Sequence, residues 1–428
     1  MHTRRFVRLA ATAFLAAAAP LPAHAAGFAL FEQGAKGMGF AGAFTAQASD
    51  PSAIFHNAAG VAFLKGTQFY VGDTRVAPHF DFTGAGPFPG GLSEESAIAA
   101  QFPPAAYLTH AFSDRFAAGV GVNVPFGLAS EWSNPDRYSG RYISTKAELK
   151  GFSINPTLAV QLSPRVALGA GVDFRLSSVT LERRVPVINP FTQSVIDAAA
   201  VSLTSDTNTG VGFNVGLLAK LSDSVSVGAS YRSKVGIDYT GVSSFTLRSS
   251  GNAQLDAILA TRVPQGSLPT TTHIDFPAIA SVGLAKVWNK WTIEADVNWY
   301  GWSSFDQLPI TLTGRPDLSE VVTENYDDSF QYRIGIERVL NEAWSVRGGY
   351  FRDQTPAPPQ SVSPLLPDSD RNGIAFGLGW KGPKLRVDAA SWLVLSPERS
   401  TEGLSNDNYN GTYKGRAFTL GLSVGYTF

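Results

Sequence analysis

Four arginines occupy the polar positions of alternating segments and are the side chains best able to bind a ligand: Arg175, Arg232, Arg333 and Arg347. A guanidinium can hold a carboxylate through two parallel hydrogen bonds. We therefore predict ligand-binding roles for Arg175, Arg333 and Arg347. The alternative interpretation is that each arginine pairs with a nearby acid, such as Glu294 or Asp296, and only stiffens the structure.

Motifs for catalysis, cofactors and metals are missing from the sequence. Histidines occur after residue 25 only at positions 56, 79, 110 and 273, and none stands in an H-E-x-x-H pattern. No G-x-S-x-G nucleophile motif is present. Gly37–Gly42 matches G-x-G-x-x-G, but no strand precedes it and no βαβ unit follows, so the match indicates close packing. The sequence predicts a protein that is not an enzyme and that uses no cofactor or metal.

The N-terminus has the features of a secretory signal peptide over residues 1–25. Arg4, Arg5 and Arg8 precede an apolar stretch, and Ala23-His24-Ala25 forms the cleavage site. Loss of these arginines changes the formal net charge from −1 to about −4, which gives no reason to expect a nucleic-acid partner. The chain has no cysteine, so neither disulfides nor thiolate metal sites hold it together.

The last segment, 416–428, alternates apolar residues with small or polar ones and ends on Phe428. Such alternation is typical of a strand that has lipid on one side and a lumen on the other. Thirteen further segments alternate in the same way, so we predict a transmembrane β-barrel of fourteen antiparallel strands. The predicted strands are 67–82, 104–112, 115–127, 151–162, 165–180, 209–221, 224–241, 273–287, 291–304, 329–339, 343–353, 371–381, 384–396 and 416–428.

Connections between the predicted strands are alternately short and long, as in bacterial outer-membrane barrels. Long segments such as 128–150, 181–208 and 242–272 are predicted to be extracellular loops. The register of the strand beginning at Trp291 must place Glu294 and Asp296 in the lumen, since the opposite register would put two carboxylates in lipid. Aromatic residues near strand ends are predicted to form interfacial girdles: Tyr300, Trp302, Trp344, Tyr350 and Trp392.

Residues 26–66 precede the predicted barrel, which spans 67–428. They are rich in Gly and Ala and show no lasting period of two. A barrel of fourteen strands encloses a wide lumen. We therefore predict that residues 26–66 form a plug, or hatch, inside it.

Several motifs resemble the FadL/TodX family of outer-membrane transporters of hydrophobic compounds. The motifs are Ala26–Leu30, Glu32–Gly34, Gly37–Gly39, Asp50–Gly60, Asp275–Ala278, Trp299–Phe305, Arg352–Pro358 and Leu366–Arg371. They extend along the mature chain in the family's order. One departure is Ala58, which stands where the family usually has proline in an Asn-Pro-Ala motif. We identify Asn57, Ala58, Ala59 and Gly60 as this hatch motif.

The resemblance implies passive uptake of long-chain fatty acids or similar hydrophobic molecules across the outer membrane of a Gram-negative bacterium. It implies capture at the extracellular loops and transfer to an internal site near the mature N-terminus, for which we predict Phe28, Leu30 and Phe31. It also implies lateral exit through a kinked third strand, where Gly119, Gly121 and Pro125 are suited to a break. The expected partners are hydrophobic small molecules, outer-membrane lipid and lipopolysaccharide, and the expected state is a monomer.

Three alternatives remain open from the sequence. The same family also takes up monoaromatic hydrocarbons, and a lumen without a carboxylate-binding arginine would favour them. A barrel-type outer-membrane enzyme would need a Ser/His or Asp/His group at one rim. A general porin would have an open channel and no plug.

Overall fold

A computed structural model describes residues 27–428 as one antiparallel sheet that closes on itself. Its first strand, β1 (Thr67–Gly84), pairs with its last, β21 (Gly411–Thr427), along their whole length. Closure pairs the first and last strands with each other, so most backbone polar groups of the wall are satisfied between neighbouring strands. The predicted signal peptide, residues 1–25, and Ala26 lie outside the described residues.

The barrel wall has fourteen strand positions. Each position, here called a stave, is occupied either by one strand or by two strands that follow each other along the chain. Eight staves are single strands: β1, β3 (Pro104–Ala111), β6 (Lys146–Ser163), β7 (Val166–Ile188), β18 (Trp344–Asp353), β19 (Arg371–Lys381), β20 (Leu385–Ser400) and β21. Six are two strands in succession: β4 (Phe116–Asn123) and β5 (Leu128–Glu131), β8 (Val195–Ser205) and β9 (Asn208–Lys220), β10 (Val225–Arg232) and β11 (Val235–Leu247), β12 (Gly266–Phe276) and β13 (Ile279–Trp288), β14 (Trp291–Tyr300) and β15 (Gln307–Leu312), β16 (Glu320–Thr323) and β17 (Ser329–Val339). A short strand, β2 (Ser93–Glu95), extends the sheet beside β1.

The predicted fourteen-stranded barrel is confirmed, but the extent of the long loops is wrong. The segment 181–208 contains the end of β7 and all of β8, and 242–272 contains the ends of β11 and β12. Beyond the membrane both faces of a strand meet water, so the alternation that marks a strand in the sequence disappears there. The second of these segments also contains the third α-helix of the chain, α3 (Ala253–Arg262). Its buried Leu255 and Leu259 pack with Ala198.

The outer surface of the barrel carries a belt of exposed apolar side chains. On β21 the outward row is Phe418, Leu420, Leu422, Val424 and Tyr426, and all five are exposed. Trp344 and Tyr350 are also exposed, as predicted for the interfacial girdles. The same prediction is wrong for Tyr300, Trp302 and Trp392, which are buried inside the barrel. No helix among residues 27–428 has the length and apolar character needed to cross a membrane.

Residues 27–66, here called the N-terminal segment, lie inside the lumen. The segment contains two short helices, α1 (Ala35–Gly39) and α2 (Ala53–His56), and a 3-10 helix at Ala58–Phe63. Two more 3-10 turns occur later in the chain, at Trp302–Ser304 and Pro359–Ser361. The segment is almost wholly buried and contacts staves on different sides of the barrel.

Hydrogen bonds to three separate staves fix the N-terminal segment in place. The indole Nε1 of Trp392 on β20 donates to the carbonyl of Met38 at 2.7 Å. The hydroxyl of Tyr107 on β3 donates to the carbonyl of Gln33 at 3.0 Å. β20 and β3 lie on opposite sides of the β1–β21 pair, so the N-terminal segment connects the two parts of the wall that meet at this pair. The third contact is a single bond, in which Nδ2 of Asn57 in the hatch motif donates to the carbonyl of Leu217 on β9 at 3.0 Å.

Candidate functional site

The third stave is interrupted midway along its length, and its chain turns into the lumen. β4 pairs with β6 as far as Asn123 opposite Ser153, and β5 resumes with Leu128 opposite Leu149. The stave therefore has one more residue in this interval than β6 has. Residues 150–152 of β6 lack a partner on that side, so the hydrogen-bonded wall is interrupted there; this gap in the pairing is called the opening.

The turned-in residues pair with the N-terminal segment instead of with β6. The amide of Leu30 donates to the carbonyl of Pro125 at 2.9 Å, and the amide of Gly127 donates to the carbonyl of Phe28 at 3.0 Å. Pro125 has no amide hydrogen to offer a neighbouring strand, so it suits this interruption. The side chain of Gln33 completes the junction by donating to the carbonyl of Val124 at 2.6 Å.

The three residues predicted for the opening lie in different parts of the third stave. Pro125 is in the interruption itself. Gly119 and Gly121 lie within the regularly paired part of β4. A Cβ on Gly121 would come within 2.9 Å of Ile54 Cγ2, so the absence of side chains here lets α2 pack against the wall.

A cavity of about 490 Å³ extends from the lumen to the interruption of the third stave. Its inner part is lined by Phe28, Leu30 and Phe31 of the N-terminal segment. These are the three residues predicted for the internal site near the mature N-terminus. Its outer part is lined by Gly127 and Phe152, which border the opening. The cavity therefore joins the predicted internal site to the gap in the wall.

Phe28 also helps to hold the N-terminal segment in place. Its ring lies in an aromatic cluster, with ring centroids 4.6 Å from Trp302, 5.5 Å from Phe305, 6.1 Å from Phe276 and 6.2 Å from Phe126. Edge-to-face packing of this kind stabilises a specific arrangement. A ligand in the cavity would therefore contact a residue whose position depends on how the segment is docked.

Of the predicted arginines, only Arg333 lines the cavity. Its Nη1 donates to the carbonyl of Ala41 at 2.7 Å, and its Nη2 lies 3.2 Å from Oδ1 of Asp353. The guanidinium also lies over the ring of Phe31, 4.3 Å from its centroid. Arg333 thus combines a charge for a head group with an apolar surface, although it is already paired.

Arg175 and Arg347 do not line the cavity. Arg175 pairs with Asp173 at 3.0 Å, and the same carboxylate accepts from Arg232 at 2.8 Å. Arg347 pairs with Glu337 at 2.6 Å and with Asp388 at 2.7 Å. Both arginines therefore occupy ion-pair networks within the barrel, as in the alternative interpretation.

The proposed acidic partners, Glu294 and Asp296, bind the N-terminal segment rather than the arginines. Oδ2 of Asp296 accepts from the amides of Phe44 and Thr45 at 2.9 and 3.0 Å. Oε1 of Glu294 accepts from the amide of Ala46 at 2.5 Å and that of Gln47 at 3.3 Å. Two wall carboxylates thus accept from four consecutive amides, three of them on buried residues.

Arg371 is a cavity residue that was not predicted as a site residue. It borders the cavity, and its Nη2 donates to the carbonyl of Gly27 and to Oδ1 of Asp368, the latter at 3.0 Å. The sequence feature that could have identified Arg371 as a site residue is its position at the end of the Leu366–Arg371 motif. Arg371 gives the cavity a guanidinium close to the start of the N-terminal segment, in addition to those of Arg333 and Arg416.

The hatch motif is a hydrogen-bonded turn against β9. Nδ2 of Asn57 donates to the carbonyls of Thr45 and Leu217 at 2.8 and 3.0 Å, and its Oδ1 accepts from the amide of Ala59 at 3.2 Å. Ala58 opens the 3-10 helix, and Gly60 packs so closely on Ala48 that a Cβ would collide with it. The motif therefore joins two parts of the N-terminal segment to the wall.

Burial perturbs two titratable groups of the N-terminal segment. It lowers the pKa of His56 to about 4, and the ring lies among Phe31, Phe44 and Phe55. It raises the pKa of Glu32, whose carboxylate accepts from the amide of Phe31 at 2.8 Å. The raised pKa means that Glu32 takes up a proton more readily than a free carboxyl group does, and protonation would reduce its repulsion of an anionic ligand.

A closed antiparallel barrel with an apolar outer belt and an occupied lumen defines the chain as an outer-membrane β-barrel protein. Residues 16–428 match the family model for the outer membrane protein transport protein (OMPP1/FadL/TodX). The chain therefore belongs to this family of outer-membrane transporters of hydrophobic substrates. The predicted family and the predicted location in the bacterial outer membrane are confirmed.

Individual relatives agree with this assignment. The chain is 26% identical to the long-chain fatty acid transport protein of Escherichia coli O6:H1 over 438 residues, and the match covers 95% of each chain. It is 27% identical to the 47 kDa outer membrane protein of Pasteurella multocida over 419 residues, again with 95% of each covered.

Solved structures show the same fold. The crystal structure of a Pseudomonas aeruginosa FadL homologue matches with a TM-score of 0.82 at 21% identity, covering 94% of this chain and 100% of that one. The P. putida toluene transporter TodX matches with a TM-score of 0.73 at 19% identity, covering 93% and 99%.

Proposed function

We propose that this protein carries long-chain fatty acids, or similar amphiphiles, passively across the outer membrane. The observation that carries the proposal is the cavity, because it joins an apolar site at the N-terminal segment to an interruption of the third stave. The substrate is captured at the extracellular loops, passes to the site lined by Phe28, Leu30 and Phe31, and leaves sideways between β4 and β6.

The N-terminal segment acts in this scheme as a hatch. It occupies the lumen and so obstructs an axial route for polar solutes, while the sideways route passes the apolar side chains of Phe28, Leu30 and Phe31. Because residues 28–30 pair with the turned-in part of the third stave, a shift of the segment would change the opening and the binding site together. No source of energy is required, since flow follows the gradient of the substrate.

Fatty acids are favoured over monoaromatic hydrocarbons by the charged groups of the cavity. Arg333 and Arg371 both border it, and each offers donors to a carboxylate. An uncharged hydrocarbon ring offers these donors no carboxylate to hold and could only stack on the guanidinium. Uptake of monoaromatic hydrocarbons is kept as the second candidate function, because one structural neighbour is named as a toluene transporter. A catalytic role is not proposed, since the relatives are named as transport proteins.

Uptake of two labelled substrates tests the proposal. Cells that lack their own transporter of this type are given this protein and then labelled oleate or labelled toluene. We expect oleate uptake well above that of cells carrying an empty vector, and we expect Arg371→Leu to lower it while sparing toluene. Uptake of toluene alone would transfer the assignment to hydrocarbons, and uptake of neither would overturn the proposal.

A further inference from the structure

Two charged side chains, Asp73 and Arg75, lie on the outward face of β1. The intervening Thr74 faces the lumen, where its hydroxyl donates to Sδ of Met38 at 3.4 Å. Successive side chains of a strand point to opposite faces, so Asp73 and Arg75 point away from the lumen. Both are exposed.

Both residues lie at the height of the apolar belt. Their partners on β21 are Leu422, opposite Asp73, and Leu420, opposite Arg75, which are 55% and 52% exposed. These leucines are in the middle of the outward row that runs from Phe418 to Tyr426. Ionisable groups facing lipid at this depth destabilise a barrel and usually have a function. Within residues 27–428 neither Asp73 nor Arg75 forms an ion pair.

Arg75 stands beside the mouth of the cavity. β1 pairs with β3 up to Asp73 opposite Pro104, and the same register continues to a bridge between Val76 and Gln101. This register places Arg75 next to Phe102 on the outer surface. Phe102 is 58% exposed and lines the cavity. Arg75 is therefore one strand spacing away from Phe102, which lines the cavity.

We propose that Arg75 receives the carboxylate of an amphiphile as it leaves the opening on the lipid side of the wall. The inference rests on the proposed function, since it needs both lateral exit and an anionic substrate. A guanidinium in apolar surroundings binds a carboxylate strongly, because little water competes for it. The apolar tail then lies along Phe102 and the lipid chains.

The test compares Arg75→Leu with the unaltered protein in the uptake assay for oleate and toluene. We expect oleate uptake at limiting concentration to fall about tenfold, the effect of losing one charge-assisted contact, while toluene uptake is unchanged. Arg75→Lys should keep most of the activity. Leucine suits a lipid-facing position, so the variant should assemble, and the amount of folded barrel in the membrane is measured to confirm it.

Arg338→Leu is the matched control. Arg338 is an exposed arginine of β17 that lies over the ring of Trp291, far round the barrel from the opening. Loss of the Arg338 side chain should change the uptake of neither oleate nor toluene. If Arg75→Leu takes up oleate like the unaltered protein, or loses oleate and toluene equally, the inference is overturned while the proposed function stands. Failure of the unaltered protein to take up oleate would overturn both.

A second measurement uses the unaltered protein. Stearate with a diazirine beside its carboxylate is photolysed in membranes that contain the protein, and the labelled peptides are identified. We expect labelling of β1 around Arg75, and labelling confined to the lumen would contradict the inference. A detergent-solubilised dimer that Arg75→Leu dissociates would also contradict it, because a second copy would then cover this surface.

Discussion

At the scale of single residues, the lumen is organised by carboxylates that bind backbone amides. Glu294 and Asp296 accept from four consecutive amides of the N-terminal segment, and buried amides without partners are costly. The sequence predicted that both acids face the lumen, but not what they bind. Backbone amides occur at every residue, so their acceptors leave no pattern in a sequence.

Asp296→Ala should weaken the docking of the N-terminal segment by about 1–3 kcal/mol, because it leaves the amides of Phe44 and Thr45 buried without an acceptor. Limited proteolysis and amide hydrogen exchange of residues 27–66 measure the change. Asn298→Ala is the matched control, since Asn298 is on the same face of the same strand. Within residues 27–428 its side chain has no hydrogen-bond partner. Equal effects of the two substitutions would contradict this role.

At the scale of elements, the third stave and the N-terminal segment form one unit. Ala29 bridges Phe126 as an antiparallel pair in place of the missing contact with β6. The break could be anticipated at Pro125 because proline cannot join a strand ladder. The inward direction of the chain could not be anticipated, because it depends on Phe126 packing with Phe276 and Trp302, which are distant in sequence.

A disulfide between these two elements tests whether they must move. The chain has no cysteine, so Ala29→Cys with Phe126→Cys introduces the only pair. We expect oxidation to block oleate uptake and reduction to restore it. A disulfide between Ser281→Cys and Asn298→Cys, which are register partners on two wall strands, is the control and should leave uptake unchanged. Full uptake by the oxidised Ala29–Phe126 variant would contradict a moving hatch.

At the scale of the whole molecule, the sequence predicted the architecture better than it predicted the site. The strand number and the lumenal positions of Glu294 and Asp296 follow from alternation, which lipid imposes on every stave. Only two of the five predicted girdle residues were correct, because Tyr300, Trp302 and Trp392 are buried inside the barrel. Arg371 and the pairing of Arg347 with Asp388 depend on contacts between distant staves, which one sequence does not reveal.

The proposed function requires that hydrophobic molecules leave through the interruption of the third stave. Deleting Pro125 removes the one extra residue, so that three residues would remain opposite residues 150–152 of β6 and the ladder could close. Pro125→Ala keeps the extra residue and serves as the matched control. Both variants are compared for folded barrel in the membrane and for uptake of labelled oleate.

The measurement that decides is oleate uptake by the folded protein lacking Pro125. We expect uptake to fall to the level of cells without the protein, while Pro125→Ala keeps most of the activity of the unaltered chain. Uptake that persists after the deletion, in a barrel whose third stave pairs continuously with β6, would contradict lateral exit and indicate an axial route past the N-terminal segment.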